Sequence, residues 1–348
     1  MDNFMINNGK RNYWTLDVLK IILAIIVILR HCGQSFTGAD PHLFYYIVTN
    51  TISPIAVPAF FIISGFLLFR KDINKKVIVT QIKRLMVLYL VWSIIYMPFQ
   101  FIKIYSEVGP SIIKIILKYL QMAIFDGTYY HLWFLPALMI SICIVFFLNK
   151  YVHSTKISLV IVAILYITGL LTDTYTFLFP QLQIVTRFYR AIFLTTRNGI
   201  FFGAIFVYIG KCVADNEENI KKFAEKYFIL GFVVSVVFMF VESYFLCVIH
   251  NKAIINMNVN SLLVSSLLVL IAIRLDNGKP HTRSSLLRNM STILFCCHPT
   301  IIIVVEYIGN KIDLSLGVKI LVVLIVSIVI SYVCVCLSEK FKIVKCLF

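Results

Sequence analysis

Ten stretches of mostly apolar residues, each long enough to cross a lipid bilayer as a helix, follow one another along this 348-residue chain. They lie near residues 16–36, 43–69, 84–106, 131–149, 157–173, 198–214, 227–249, 257–274, 290–309 and 317–338. A membrane β-strand needs only about 9–11 residues, and lipid offers the backbone no hydrogen bonds. The sequence therefore predicts an all-α, polytopic integral membrane protein of about ten transmembrane helices.

Composition excludes a water-soluble globule. Hydrophobic residues make up 60% of the chain and charged residues only 14%, and the mean hydropathy is +0.91. Such a chain has too few polar residues to cover a surface in water. We expect residues 1–348 to form a single transmembrane domain whose main partner is the lipid bilayer.

The net charge of +16 does not indicate nucleic-acid binding, because the basic residues occur in short clusters between apolar runs. With ten spans and a cytosolic N-terminus, 21 of the 32 Lys and Arg residues fall on the cytosolic side. This asymmetry predicts that both termini are cytosolic. Residues 111–125 are too short and too charged to span easily, and Lys114 and Lys118 share one face, so we place this segment in the membrane interface.

The first span carries four ionisable residues, Asp17, Lys20, Arg30 and His31. Each charge within a span costs about 2.5–3.5 kcal/mol on insertion scales, so such residues usually face protein or a water-filled cavity. Lys20 and His31 are eleven positions apart, which places them on one helix face, about 16 Å apart along the axis. Asp17 precedes Lys20 by three residues and can pair with its ammonium.

Two interpretations of these residues stay open. A neutral His31 imidazole can act as a general base near physiological pH, while Lys20 holds an anionic group. Alternatively, Lys20 extends to the lipid headgroups and His31 bonds a neighbouring helix. The nine cysteines form no CxxC pair and no Cys/His array with ligand spacing, so we expect no metal site.

Three further regions supply candidate residues, each with a structural alternative. Ser64 and Gly65 in the second span favour close helix packing. The basic cluster after that span, which includes Lys83 and Arg84, suits a phosphorylated donor, although the positive-inside rule also explains it. The outer-loop sequence DGTYYHLWFLP brings Asp126, His131 and Trp133 together, or forms an aromatic belt.

Two more candidates lie in the second half of the chain. A second outer loop contains TRNG at residues 196–199, where Arg197 provides a charge suited to an anionic or polar acceptor. The ninth span contains STILFCCHP, and His298 lies directly before Pro299, where the proline frees a helical carbonyl. His298 is either a satisfied structural histidine or part of a catalytic site.

Several motifs together resemble one family. LDVLK at residues 16–20, followed by His31, is similar to the LDxLR start and Arg-x10-His pattern of the acyltransferase 3 family of bacterial membrane acyltransferases, with Lys20 in place of the arginine. FFIISGFLL at residues 60–68 resembles FFxxSGFLL, HLWFL at residues 131–135 matches HLWFL, and STILFCCHP resembles ISxxxYLxHP. Within that family, DGTYYHLWFLP and TRNGIFF look closest to the membrane half of vancomycin-resistance serine racemases, without their racemase domain.

The resemblance implies a multi-pass protein of the bacterial cytoplasmic membrane that moves an acyl group, typically acetyl, to a hydroxyl of a cell-envelope glycan or similar acceptor. Acyl-CoA is then a co-substrate, and no cofactor is bound tightly. His31 is the implied base, and Lys20 and Asp17 join it as catalytic residues. Lys83 and Arg84 are the donor-side residues, although Val87 stands where the family motif has a further arginine. Asp126, His131, Trp133, Arg197 and His298 are the acceptor-side candidates.

A different class of function remains open beside the transferase. The membrane halves of the racemases suggest an uptake or binding domain for serine or a similar small amino acid. Intramembrane charges serve substrate pathways as well as catalysis. Against this alternative, the sequence shows no clear internal repeat of the kind that many carriers have.

Overall fold

The computed structural model describes residues 13–36, 45–71, 73–179, 181, 186–188, 195–252, 254–279 and 281–348. Its principal helices are α1 (Trp14–Phe36), α2 (Ala56–Phe69), α3 (Lys75–Val108), α4 (Ile112–Phe125), α5 (Phe134–Tyr151), α6 (Thr155–Asp173), α7 (Ala204–Asp215), α8 (Glu217–Lys222), α9 (Glu225–Tyr244), α10 (Val259–Leu275), α11 (Ser284–Lys311) and α12 (Leu316–Lys340). Wider π-helical turns occupy Tyr45–Ile52, Gly199–Gly203 and Phe245–Ile249, and 3-10 turns occupy Ser53–Ile55 and Lys342–Leu347. The described residues contain no strand, which confirms the all-α prediction for this part of the chain.

In the part of the chain that the structure describes, every apolar run predicted from the sequence coincides with helical structure. Among the described residues, seven helical segments are long and apolar enough to cross a membrane: Tyr46–Phe69, Lys75–Val108, Phe134–Tyr151, Thr155–Asp173, Glu225–Ile249, Ser284–Lys311 and Leu316–Lys340. The three other runs correspond to α1, to Gly199–Asp215 and to the 17-residue α10. Membrane-spanning helices are therefore present, while the count of ten and the cytosolic termini stay predictions.

Helix α1 is surrounded by other helices. It packs against α11, the Tyr45–Ile52 turn, α2, α10 and α12. Leu16, Leu23, Ala24 and Ile28 along its length are fully buried. Because α1 has protein on most sides, its ionisable side chains face other helices, as the cost of charge in lipid requires.

Close contact between α2 and α7 depends on a glycine. A side-chain carbon added at Gly65 would lie 2.4 Å from the carbonyl oxygen of Val207, well inside van der Waals contact. The neighbouring Ser64 hydroxyl bonds back to the Phe60 carbonyl at 2.7 Å and so needs no partner on another helix. The predicted packing role of Ser64 and Gly65 is confirmed at Gly65.

The segment predicted to lie in the interface is the amphipathic helix α4. Ile112, Ile113, Leu117 and Ile124 on it are more than half exposed, so its apolar side is not covered by protein. Within the membrane this surface suits contact with lipid. Its depth in the bilayer stays a prediction.

Candidate functional site

Helix α1 carries ionisable residues near both ends, and the two ends have different surroundings. Asp17 and Lys20 lie in its first two turns, and Arg30 and His31 lie in its last two. Following the predicted orientation, we call these the inner and the outer end of α1. The two ends are about 16 Å apart along the helix axis.

The loop before α5 reverses direction at Gly127. This residue has a φ of +82°, and a side-chain carbon there would lie 2.4 Å from the backbone nitrogen of Trp133. The Tyr89 hydroxyl of α3 accepts a hydrogen bond from the Thr128 N–H at 3.0 Å and thereby holds the loop in place. As a result His131 and Trp133 turn inward, where they are 1% and 7% exposed.

Three histidines from separate parts of the chain meet at the outer end of α1. The ring of His31 stacks against His298 of α11, with centroids 5.3 Å apart and planes 19° apart. His298 in turn contacts His131 at 5.4 Å in a nearly perpendicular arrangement. The Tyr130 ring packs on His31 at 4.8 Å. We call His31, His131 and His298 the histidine cluster.

Hydrogen bonds to carbonyl oxygens define which ring nitrogen carries the proton in two of these histidines. His298 bonds the Leu294 carbonyl through Nδ1 at 3.1 Å, and His131 bonds the Cys296 carbonyl through Nε2 at 3.2 Å. Because a carbonyl can only accept, these nitrogens are protonated, and the opposite nitrogen of a neutral ring holds a lone pair. Among the described residues, those opposite nitrogens, Nε2 of His298 and Nδ1 of His131, are buried without a hydrogen-bond partner.

His31 follows the same pattern. Its Nδ1 lies 3.1 Å from the Gln34 side-chain oxygen, one turn further along α1. With Nδ1 donating to Gln34, Nε2 is the nitrogen that is free to accept a proton. The arrangement of base and orienting group is the one that general-base catalysis requires.

Pro299 lies directly after His298, inside α11. A proline inside a helix has no N–H, so the Phe295 carbonyl loses its usual helical donor. The next carbonyl, that of Cys296, accepts side-chain hydrogen bonds from both His131 and Tyr96, the latter at 2.7 Å. These two bonds go to Cys296 and not to the carbonyl that Pro299 frees, so the predicted role of a freed carbonyl next to His298 stays a prediction.

A cavity of about 40 Å³ opens beside the cluster. It lies between α1, the Ser53–Ile55 turn, the start of α2, the loop before α5, the segment around Arg197, the segment before α10, and α11. Its lining residues are Val27, Arg30, His31, Ser53, Pro54, Val57, Pro58, His131, Trp133, Arg197, Phe202, Asn256 and Phe295. Apolar walls with a few convergent polar groups are typical of small-molecule sites.

Two guanidinium groups reach this cavity. Arg30 donates to the Thr49 carbonyl at 2.8 Å, to the Ser53 hydroxyl at 2.9 Å and to the Ile255 carbonyl at 3.1 Å. Arg197 lies over the Trp133 ring, with its guanidinium carbon 4.8 Å from the ring centroid. The outer half of the site therefore combines bases, cations and aromatic surface.

The inner end of α1 holds a different cluster. Asp17 pairs with Lys20 at 3.2 Å and with Arg288 of α11 at 3.5 Å. Arg84 of α3 is exposed but lies within electrostatic range of Lys20, and the neighbouring Lys83 is exposed as well. The structure thus brings one predicted donor-side residue, Arg84, to the predicted Lys20 and Asp17 pair.

A second charged network fastens the start of α1. The buried Glu217 accepts hydrogen bonds from Tyr13, from Arg70 at 2.8 Å and from Lys221. Burial alone would raise the pKa of the Glu217 carboxyl, but the hydrogen bonds from Lys221, Tyr13 and Arg70 outweigh it and lower the pKa to about 2. This carboxylate joins the N-terminus of α1 to α2 and α8.

The structure divides the residues predicted from the sequence between two places. Four of them, His31, His131, Trp133 and Arg197, line one cavity, and His298 contacts two of these histidines. Asp126 lies within electrostatic range of Arg197. Lys20 and Asp17 share a helix with His31 but do not line this cavity. Sequence reasoning missed Gln34, Tyr130 and Asn256, and it noted Arg30 without giving it a role.

Comparison with known proteins decides the family. The model of the acyltransferase 3 family, described as an acyltransferase domain, matches residues 13–336. The chain belongs to the acyltransferase 3 family. No solved structure matches it.

Similar proteins with assigned activities carry racemase names. An amino-acid racemase of Enterococcus faecalis is 27% identical over 342 residues, which cover 95% of this chain and 47% of that protein. A serine/alanine racemase of Enterococcus gallinarum is 26% identical over 338 residues, which cover 93% of this chain and 46% of that protein. A second E. faecalis amino-acid racemase is 35% identical over 218 residues, or 61% of this chain and 29% of that protein. The chain thus spans less than half the length of these relatives.

Proposed function

We propose that this family member transfers an acyl group, acetyl in the simplest case, from cytosolic acyl-CoA to a hydroxyl group at the membrane. Membership of the acyltransferase 3 family supports the reaction class. The observation that carries the proposal is the histidine cluster, in which Gln34 orients His31 with its Nε2 available as a base. His131 and His298 each keep a buried nitrogen without a partner among the described residues, which suits a site where a proton moves.

The proposed step follows from this geometry. His31 Nε2 accepts the proton of the acceptor hydroxyl while its oxygen attacks the thioester carbonyl carbon. A new C–O ester bond forms, the C–S bond breaks, and the departing thiolate takes the proton from the imidazolium to give free CoA. Arg30, next to His31 in the chain, places a positive charge near the oxyanion that develops on the carbonyl.

The donor side of the proposal uses the inner end of α1. Lys20, Arg84 and Arg288 supply three positive charges around one carboxylate, Asp17, and leave this cluster cationic. Such a cluster suits the phosphate groups of acyl-CoA. The pantetheine arm of CoA is an extended chain, and it would have to cover the roughly 16 Å that separate Lys20 from His31.

We place the chain in the bacterial cytoplasmic membrane as a single multi-pass domain with ten spans and both termini in the cytosol. The acceptor is a hydroxyl of a cell-envelope glycan or a similar small molecule. No tightly bound cofactor takes part, because acyl-CoA enters and leaves as a co-substrate.

A second candidate function is uptake or binding of serine or another small amino acid. The names of the similar proteins, amino-acid racemase and serine/alanine racemase, favour it. The two arginines in the cavity also suit an amino-acid carboxylate. This function predicts substrate binding or uptake that does not depend on acyl-CoA.

One experiment tests the transferase directly. Cells with and without the gene are compared by mass spectrometry of their envelope glycans and small hydroxyl compounds. The proposal predicts an ester-bearing product that requires the gene and disappears when His31→Gln replaces the wild type. Identical ester profiles in all three strains, together with gene-dependent uptake of radiolabelled serine, would favour the second function.

A further inference from the structure

We infer that Glu242, a carboxylate near the end of α9, is a positioning residue for the cavity beside His31. It holds the start of α10 and, through it, the segment of residues 255–258, from which Asn256 lines the cavity. The effect of Glu242 on turnover rests on the proposed function. Its effect on this segment is a property of the structure, so the two parts can be measured separately.

Glu242 lies in a helical segment that is long and apolar enough to cross a membrane, Glu225–Ile249. Much of this helix is not covered by protein, since Val237, Phe238 and Val241 are more than half exposed. A carboxylate in such a helix is costly unless the protein supplies it with partners. The partners of Glu242 therefore indicate what the residue does.

In the part of the chain that the structure describes, four hydrogen bonds reach the Glu242 carboxylate, and three of them come from the start of α10. Its two oxygens accept the backbone N–H of Val259 at 2.6 Å and that of Asn260 at 2.9 Å, and the Asn260 side-chain amide donates at 2.7 Å. The fourth comes from the hydroxyl of Tyr175, two residues after α6. A negative charge at the first N–H groups of a helix is favourable. Glu242 thus joins α9 to α10 and to the end of α6.

The residues directly before α10 are also bound by other parts of the chain. The Ile255 N–H donates to the Asn50 side-chain oxygen at 3.2 Å, and the Ile255 carbonyl accepts from Arg30 of α1 at 3.1 Å. The Met257 carbonyl accepts from the Thr174 hydroxyl at 2.6 Å. Glu242 therefore holds the helix that begins where this bound segment ends.

Asn256 connects the segment to the cavity through Arg197. Its side-chain oxygen accepts from Arg197 Nη1 at 3.2 Å, and both residues line the cavity together with His31. Arg197 in turn lies over the Trp133 ring. Because Asn256 is three positions before Val259, a shift at the start of α10 would move Asn256 and Arg197 as well. A misplacement of about 1 Å can cost about 10²-fold in rate, so a residue outside the cavity can control turnover by this route.

Glu242→Gln tests this role in membrane vesicles that contain equal amounts of folded protein, with the concentration of acetyl-CoA varied. Glutamine keeps one oxygen but turns an NH₂ group toward the donors of α10, so kcat should fall about tenfold. The KM for acetyl-CoA should not change, because the donor phosphates are proposed to bind at the inner end of α1. Glu242→Asp keeps the charge and should retain part of the turnover. Glu225→Gln, at the opposite end of α9, is the matched control and should behave like wild type.

A double-mutant cycle distinguishes positioning from a general loss of stability. Asn256→Ala removes the contact with Arg197 through which Glu242 is inferred to act. In a protein that already carries Asn256→Ala, Glu242→Gln should therefore slow transfer much less than it does in wild type. Two losses that simply multiply would overturn the inference, and so would a raised KM for acetyl-CoA with an unchanged kcat.

Hydrogen exchange of the full chain in detergent tests the contact without any activity. In Glu242→Gln the amides of residues 255–262 should exchange faster than in wild type, while those of α12 should not change. If wild type transfers no acetyl group but exchange changes in this way, the proposed function is wrong and the role of Glu242 in holding the segment stands. Unchanged exchange at residues 255–262 would refute that role.

A second variant serves if Glu242→Gln does not fold. Tyr175→Phe removes one donor to the same carboxylate and leaves its charge in place. It should lower kcat by about two- to tenfold and speed exchange in the same residues. Wild-type values of both quantities in Tyr175→Phe would contradict the inference.

Discussion

The two ends of α1 both carry ionisable residues, but these residues have different surroundings. At the inner end, carboxylates form ion pairs with cations: Asp17 pairs with Lys20 and Arg288, and Glu217 pairs with Arg70. At the outer end, Arg30 is held by neutral oxygens. Ion pairs suit anchoring and electrostatic attraction of a donor, whereas histidine rings with an available nitrogen suit proton transfer on a ligand.

The two ends of α1 also differ in how far their polar groups are satisfied by protein. Glu217 accepts hydrogen bonds from Tyr13, Arg70 and Lys221, so this network at the inner end forms without a ligand. The histidine cluster is incomplete in this sense, because His131 and His298 each retain a buried nitrogen without a partner among the described residues. We therefore expect substitutions at the outer end to change turnover and those at the inner end to change donor affinity or stability.

The largest expected effect is the loss of turnover in His31→Gln. Glutamine keeps a hydrogen-bonding side chain of similar reach but cannot act as a base, so the rate of transfer should fall about 10²–10⁴-fold. The measurement is transfer of radiolabelled acetyl from acetyl-CoA in membrane vesicles that contain equal amounts of folded protein. His153→Gln, at an exposed histidine outside the cavity, is the matched control and should keep wild-type activity. A near wild-type rate in His31→Gln would show that His31 is not the general base.

A smaller effect is expected at Lys20. Lys20→Gln removes one charge from the inner cluster and should weaken the use of acyl-CoA by on the order of ten- to a hundredfold, as expected for a lost hydrogen bond to a charged group. Lys20→Arg keeps the charge and restores the residue usual in the family motif, so it should keep part of the activity, although its planar fork differs from an ammonium. The same vesicle assay measures all three proteins. Equal activity would mean that Lys20 only anchors the helix.

Gly65→Ala should weaken the packing of α2, one of the helices that surround α1, against α7. The added methyl group would meet the backbone of Val207 at 2.4 Å, and a backbone cannot move aside as a flexible side chain can. We expect a loss of about 1–3 kcal/mol in stability, seen as a lower thermal midpoint in detergent. Gly317→Ala is the control, because a methyl group there meets nothing within 4 Å. Similar midpoints in both variants would show that α2 and α7 are less closely packed.

The last prediction concerns Glu217, whose contribution to stability changes with pH only under acidic conditions. Its pKa is lowered to about 2 in the folded protein, so the carboxylate stabilises the fold above its ordinary pKa near 4.5. That contribution is lost as pH falls from about 4.5 to about 2. The thermal midpoint of wild type should therefore exceed that of Glu217→Gln by a constant amount above pH 5, and the difference should shrink below it. A difference that does not change with pH would contradict the ion-pair network.

Much of the fold follows from the sequence because lipid restricts the choices. Long apolar runs in lipid can only be helices, and the described part of each predicted run is mainly helical. The span count is harder to predict because α10 and the Gly199–Asp215 segment are short, and because α1 carries several ionisable residues. The close approach of α2 and α7 was visible as a glycine in an apolar run, since only glycine permits it.

The site was predicted only in part. Local motifs predicted His31, His131, Trp133, Arg197 and His298 as site residues. Each motif contains a polar residue within an apolar segment, where its burial costs free energy unless it has a function or a partner. They could not give the distances, since the three histidines come from elements up to 267 positions apart in the chain, from His31 to His298. Asn256 could not be predicted as a site residue, because a single asparagine in a loop is common in proteins. Helical phase placed Lys20 and His31 on one face, but a shared face does not imply a shared cavity when the two residues are about 16 Å apart.

Steady-state kinetics of acetyl transfer tests the division between the two ends most directly. Wild type, His31→Gln and Lys20→Gln are compared in the same vesicles while the concentration of acetyl-CoA is varied. We predict that His31→Gln lowers kcat with little change in the KM for acetyl-CoA, and that Lys20→Gln mainly raises that KM. The reverse pattern, or the same change in both variants, would contradict the account in which donor binding and proton transfer occupy opposite ends of α1.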